Sequence, residues 1–432
     1  MFRPILAALF LCALAACDRA PPAPRDSLDA VARDYVRTSL TIGEKEAGYI
    51  DAYYGPPELQ AAAKADAPKL SLEALSARVE ALRKRAAALA TGDALDVRRA
   101  RFLEAQLTAA ATRLRMLRGE KLSFEDEAQG LFGVRPELKP LASYDPVLEE
   151  IGKIVPGTGQ LPDRIEAFAN RFTIPPPRLK PVFDAAIAEC RRRTLARIKL
   201  PPGERFDLAF VTGKSWGGYN YYQGNAHSRI EINTDLPIRM DRALDLGCHE
   251  GYPGHHALNA LLEEKLTRGR KWIEYSVYPL YSPQSLIAEG SANYGIDLAF
   301  PGTEKLAFET SALYPIAGIS PADAAAYAKL QAALKVLVPA RFTIARDFLA
   351  GRIDDAQAVA LLQRYQLLTK VRAEKSLAFV KDYRSYVINY ALGQDMVRAD
   401  AERAGTTPEA RWRRMEAIIS EPTLPSDLTA KR

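Results

Sequence analysis

From residue 27 onward, apolar residues recur at three- and four-residue spacing, with Ala, Leu, Arg and Glu filling much of the sequence. Over 27–50, 71–90, 94–118 and 179–199 this spacing predicts long antiparallel helices, because 3.6 residues per turn brings such positions onto one face. Breakers separate them: "YYGPPE", "ATGD", "IPPPR" and "KLPPGE". The texture changes at 205–235. "FDLAFVTG" and "SRIEINTDLP" are short β-like runs, the second alternating Ile230 and Ile232 with Glu231 and Asn233, and the Gly- and aromatic-rich "WGGYNYYQGNAH" lies between them. Helical spacing resumes over 238–268, 282–299, 321–337, 340–350, 355–368 and 371–419. The pattern predicts one large, mainly α domain over 26–432, with a small strand region set into it and a cleft between helical lobes. No repeat of fixed period occurs.

The amino-terminal residues follow a different rule. A basic start, Met1-Phe2-Arg3, leads into "PILAALFLCALAA", an apolar stretch too brief to span a bilayer comfortably, and then Cys17. Residues 1–16 read as a secretory signal. Leu14-Ala15-Ala16-Cys17 looks like the lipobox at which bacterial lipoproteins are cleaved, which would leave Cys17 lipidated; an ordinary signal peptide is the plainer alternative. Residues 17–25 read as a Pro-rich polar tether. The expected location is therefore the cell envelope, lipid-anchored and exported, on the periplasmic side in a Gram-negative host. Asp18 after the cysteine points to the inner membrane of such a host. No other apolar run approaches the roughly 20 residues of a membrane helix.

Charge narrows the partners. The excess of 59 basic over 53 acidic residues is spread along helices such as "ARVEALRKRAAALA", so it reads as solvated helix faces and no nucleic-acid partner is expected. Beyond Cys12 and Cys17 only Cys190 and Cys248 remain, expected as two buried free thiols, with a single bridge as the alternative. "TGKS" at 212–215 ends like a phosphate-binding loop, but the glycine required five residues before Gly213 is Leu208.

The candidate chemistry sits in "LGCHEGYPGHHALN", residues 246–259, which holds three of the four histidines. Zinc hydrolases often use His-Glu-x-x-His, because i and i+4 on a helix reach one ion. Here the position four after His249 is Pro253. In an unbroken helix His255 would point to another side, and His256 would share the face but lie about 10 Å along the axis. Pro253 removes a backbone donor and Gly254 tolerates unusual angles, so together they permit a two-residue bulge. That bulge would make His249 and His255 metal ligands and leave Glu250 as the general base. His256 stands as substitute ligand or as a donor to substrate. An open catalytic site wants a third protein ligand, and Glu289 in "SLIAEGSANYGIDLAF" is the candidate, a carboxylate in a nearly uncharged stretch. A solvent-facing glutamate and structural histidines are the plain alternatives.

The octet His249-Glu250-Gly251-Tyr252-Pro253-Gly254-His255-His256, followed by "IAEGSANYGID", resembles the bacterial family catalogued as domain of unknown function 885. The likeness runs in looser form from about residue 219 to about 400. It implies a mostly helical metallopeptidase-like fold, akin to the carboxypeptidase Taq and thimet oligopeptidase group, with a channel between lobes and a small antiparallel sheet beside a zinc ion. The family's His-Glu falls on His249 and Glu250, its Pro-Gly-His on Pro253-Gly254-His255 and its Glu-Gly on Glu289-Gly290. The tryptophan that often follows is Ser291 here. "NYALGQD" resembles the family's Tyr-x-x-Gly segment, which makes Tyr390 a candidate to hydrogen-bond a substrate or oxyanion.

The expected activity is zinc-dependent cleavage of short peptides, with the substrate strand laid along "SRIEIN" and Asn233 or the preceding Gly-Tyr loop touching its backbone. Carboxypeptidase, dipeptidase and oligopeptidase are not distinguished. Two alternatives stand beside it: a metal-dependent hydrolase of a non-peptide amide or ester, and a tethered peptide-binding lipoprotein with a non-catalytic metal site. The latter would need a fourth ligand, for which His256 and Cys248 are nearest.

Overall fold

A computed structural model describes residues 26–430. The expected signal segment, Cys17 and the tether therefore lie outside the described residues. The described chain is mainly helical, and the predicted helices fall close to their expected places: Leu28–Gly43, Leu72–Ala88, Ala94–Leu117 and Leu179–Leu195 in the first half. Their starts are set by capping side chains. Ser27, Ser71 and Asp93 each accept hydrogen bonds from backbone N–H groups of the first turn, which have no partner within the helix.

Two predicted helices are shorter than their apolar spacing suggested. The first ends at Gly43, and a turn through Gly48 at φ +80° leads into strand β1, Ile50–Tyr53. The long 371–419 stretch divides into Lys370–Tyr383, Ile388–Arg403 and Pro408–Ser420. Its first break is at Arg384, φ +53°, whose guanidinium and following N–H both bind the buried Glu127. That ion pair holds a backbone conformation which L residues rarely adopt.

The remaining strands are β2 Arg205–Val211, β3 Gly218–Tyr222, β4 His227–Asn233 and β5 Val277–Pro279. β1 and β5 form an antiparallel pair. The other three form a sheet of order β2-β4-β3, in which β4 runs parallel to β2 and antiparallel to β3. The sheet beside the site is thus mixed, not wholly antiparallel, because the connection from β2 to β4 itself supplies the far edge strand. β4 is the central strand. Its Ile230 and Ile232 are buried in the core, as their alternation indicated.

One helix crossing governs where the chemistry falls. The helix Pro283–Ala299 is buried on nearly every side and crosses Ile388–Arg403 at Gly290 and Gly393. A Cβ on Gly290 would lie 2.4 Å from the Gly393 carbonyl carbon, and one on Gly393 would lie 2.7 Å from the Leu286 carbonyl oxygen. Only glycine lets these backbones approach so closely. Among the described residues no helix is long and apolar enough to cross a membrane.

The expectation of two free thiols is corrected: Cys190 and Cys248 form a disulfide. Both are fully buried, as expected, but helices Leu179–Leu195 and Met240–Glu250 pack side by side and bring their Cα atoms to 5.5 Å, within bridging range. The bridge ties the residue before His249 to a helix 58 positions away. Replacing both cysteines by alanine should lower the unfolding free energy by about 2–4 kcal/mol. Urea titration would show this as a lower midpoint at similar slope, and an unchanged midpoint would mean the bridge adds nothing.

Candidate metal centre

The motif builds its geometry by ending one helix and starting another. Met240–Glu250 stops at Glu250, residues 251–254 turn, and the next helix begins at His255. The expected two-residue bulge is therefore a full break within 238–268. It is closed by Gly254 N–H donating to the Cys248 carbonyl and Ala257 N–H donating to the Gly251 carbonyl, and the Tyr252–Pro253 peptide is cis. A Cβ on Gly254 would stand 1.8 Å from the His249 carbonyl oxygen, so this turn admits only glycine. The break brings the His249 and His255 rings to 4.6 Å between centroids with their planes at 88°.

Glu289 completes the group from the buried helix. Its Oε2 lies 3.2 Å from His249 Nε2 and 3.8 Å from His255 Nε2. One ligand atom from each of the three residues falls within 4.8 Å of the others. Although so close to two imidazoles, Glu289 Oε2 has no hydrogen-bond partner, and neither has Glu250 Oε2 beside it. Buried carboxylate oxygens left without donors are costly unless a cation meets them. Two imidazole nitrogens and one carboxylate oxygen form the donor set that zinc takes in open sites. These residues fit a divalent cation.

Supporting contacts orient two of the three candidate ligands, His249 and Glu289. His249 Nδ1 lies 3.0 Å from Asn293 Oδ1, and Asn293 in turn donates to the Tyr390 carbonyl, so its acceptor oxygen is turned to the ring. The Nδ1 proton is thereby fixed and Nε2 is left for an ion. Tyr386 donates to Glu289 Oε1 at 2.8 Å, which leaves Oε2 for the same purpose. Asn220 of β3 donates to the Glu250 carbonyl at the end of its helix. Gly218 of the same strand lets Glu250 in: a Cβ there would come within 2.7 Å of Oε1.

Burial and neighbouring charges spread the protonation equilibria of this group. Burial pulls His249 down, but the nearby carboxylates of Glu289 and Glu250 outweigh it and push His249 up to about 9. His255 is pulled down to about 4 by burial and by the adjacent His249. Burial raises Glu250 to about 7 against the pull of His249. Burial also raises Glu289, yet its contacts with the two histidines hold it below the usual carboxylate range. The hydroxyls of Tyr386 and Tyr390 are pushed well up by burial, so both stay protonated as donors.

These groups open on a cavity of about 990 Å³. His249, His255, Glu289, Glu250 and Tyr390, all singled out in the sequence, line it together. His256 does not. It is fully buried, with Nδ1 at 2.8 Å from Ser228 Oγ and Nε2 at 3.0 Å from Glu204 Oε2. Adjacent helical residues point about 100° apart, so when His255 faces the cavity His256 faces the sheet behind it. Its expected role as substitute ligand or substrate donor is corrected to that of a buried brace.

Asn233 is likewise turned away from the cavity. Its amide donates to the carbonyls of Lys214 and Trp216 and its oxygen accepts from Asp235 N–H, so it secures the loop before β3. β4 cannot receive an extended peptide either, since both its edges are paired; the edge strands are β2 and β3, and of these β3 lines the cavity. Sequence reasoning passed over Asn293, Tyr386, Asn220 and Asp51. Asn293 stands four residues after Glu289 and Tyr386 four before Tyr390, a spacing that could have disclosed both. Asp51, on β1, accepts from the Tyr219 hydroxyl and lines the cavity, with burial raising it to about 7. No local signal marks it.

The chain is similar to a protein described as "the putative lipoprotein from Colwellia psychrerythraea", with a TM-score of 0.50 and 15% identity over 84% of this chain and 70% of that one. The likeness shows a shared fold. A weaker similarity, TM-score 0.35 and 15% identity over 90% of this chain and 88% of the other, is to the M32 carboxypeptidase from Deinococcus radiodurans R1. No protein-family model matches the sequence, and no curated protein matches it.

Replacing Asn293 by alanine removes the group that orients His249 without touching a ligand. Zinc affinity, read by competition with a chromophoric chelator, should fall about 10–100-fold. An unchanged affinity would show that the His249 ring needs no such support.

Proposed function

We propose that this chain is a zinc-dependent hydrolase of short peptides, held at the cell envelope through a lipid on Cys17. The observation that carries the reading is the convergence of His249, His255 and Glu289 around Glu289 Oε2, an oxygen without a hydrogen-bond partner, beside a second such oxygen on Glu250. Three protein ligands leave a position for water or substrate, whereas a structural zinc site would close with four. The two nearby candidates for a fourth are otherwise engaged: Cys248 in the disulfide, His256 with Ser228 and Glu204. This favours catalysis over the peptide-binding alternative.

A zinc ion in this site supplies Lewis acidity toward a carbonyl oxygen and a water. The chain's own residues do the rest. Glu250, buried at the end of its helix with one carboxylate oxygen free of donors, accepts the proton of the attacking water and passes it to the leaving amine. Tyr390 lines the cavity with its hydroxyl kept protonated, and it donates to the oxyanion that develops on the carbonyl. Tyr386 is committed to Glu289 and positions that ligand. The free edge of β3, whose Gly218, Tyr219 and Asn220 line the cavity, pairs with the substrate backbone. The envelope location rests on the sequence of residues 1–17.

Glu250→Gln should retain about one zinc per chain and lose at least about a hundredfold in peptide hydrolysis. Metal analysis and a panel of peptides, small amides and esters would check both halves. Full activity in the variant would remove Glu250 from the mechanism, and hydrolysis confined to the non-peptide substrates would replace the peptidase reading.

A further inference from the structure

The cavity wall holds a cation that no carboxylate among the described residues neutralises. Most of the basic side chains lining it are paired: Arg372 with Glu166, Lys375 with Asp235, Arg398 and Lys335 with Asp297. Arg242 has no ion-pair partner among the described residues, but it is exposed and water serves it. Arg341 differs from all of these. It is half-buried at the cavity wall, its Nε is buried without a hydrogen-bond partner, and no described carboxylate pairs with it.

Its surroundings are aromatic. The guanidinium carbon lies 5.0 Å over the Phe379 ring, Phe379 lies 6.1 Å from Tyr390, and Tyr390 lies 6.0 Å from Tyr386, the residue bound to Glu289. This ring contact fixes the orientation of Arg341 and leaves its fork of donors unspent. Burial pulls its proton affinity below the usual arginine range, offset only by Tyr390. A half-buried guanidinium with one donor shut away from water and no counter-ion is left under-satisfied, and a ligand of opposite charge would complete it.

We propose that Arg341 receives the terminal α-carboxylate of the substrate and thereby directs cleavage to the carboxyl end of the peptide. The inference rests on the peptide-hydrolase reading above and sharpens it. Arginine matches a carboxylate with two parallel N–H donors, which gives both affinity and orientation. Tyr390 stands between the groups that surround the metal site and Arg341. A peptide end gripped by Arg341 therefore sets the scissile bond within a few residues of that end, at about 3.5 Å per extended residue.

The test uses an N-acetylated dipeptide as the free acid, its carboxamide, and a carboxamide whose last residue is aspartate. Binding to the full metal-free chain is measured by calorimetry, and hydrolysis is measured on the zinc-loaded chain. The free acid should bind at least about tenfold more tightly than either amide and show the same advantage in kcat/KM. Arg341→Met, which keeps the contact with Phe379, should erase that advantage through the acid alone, and Arg341→Lys should keep part of it. A preference for the aspartyl amide equal to that for the free acid would overturn the α-carboxylate in favour of an acidic side chain. Equal treatment of all three peptides by the unmutated chain would overturn the assignment without recourse to any variant. An acid preference that survives in Arg341→Met would do so as well. The two readings fail separately: hydrolysis without acid preference removes the role of Arg341 and leaves the hydrolase. Acid-selective binding, lost in Arg341→Met, without hydrolysis of any peptide keeps Arg341 and removes the hydrolase.

Discussion

The site depends on one backbone constraint: a helix must stop at Glu250 and another must start at His255, with Gly254 pressed against the His249 carbonyl between them. Without that break His249 and His255 would point to different sides of one helix. With it, two imidazoles separated by six positions meet at right angles, and Glu250 remains at the end of the first helix beside them. The break also fixes what His256 does. It turns to Glu204 and Ser228, so one neighbour of the pair serves the cavity and the other anchors the helix to the sheet.

A second constraint acts from the opposite wall. The crossing of Pro283–Ala299 and Ile388–Arg403 at two glycines brings Glu289 and Asn293 under Tyr386 and Tyr390. Glu250 and Glu289 are thus buried together, an arrangement that is unfavourable for two carboxylates unless positive charge lies between them. His249 supplies some of it in the metal-free chain. A divalent ion would supply more, beside the Glu289 oxygen that the protein leaves without a donor. The disulfide at Cys248 and the hydrogen bonds of Asn293 and Tyr386 hold His249 and Glu289 in place, and Asn220 holds the end of the Glu250 helix, a division between metal-facing and supporting groups that metal centres commonly show.

Much of this was legible in the sequence because local rules decide it. The helices followed from apolar spacing and the breakers between them, β2 and β4 from β-like runs, and the meeting of His249, His255 and Glu289 from the donor types around a Pro-Gly break and on a nearly uncharged helix. What escaped depended on tertiary context. β3 is "GYNYY", whose composition reads as a loop, and it becomes a strand because β4 offers it an edge. β1 exists through pairing with β5, more than two hundred residues later. Asp51 enters the cavity on that same strand, so nothing near it in sequence foretold its place. The pairing of Cys190 with Cys248 likewise depends on which helices pack side by side, and Arg341 became visible as an unneutralised cation only once its neighbours were known.

The central claim is that His249, His255 and Glu289 hold one metal ion and leave a position open. The zinc-edge X-ray absorption spectrum of the zinc-loaded chain addresses it most directly. Two imidazole ligands, oxygen from a carboxylate and from exchangeable water, and no sulfur are expected. A chain that retains no zinc, or a spectrum with a third imidazole or a sulfur that closes the coordination shell, would contradict it.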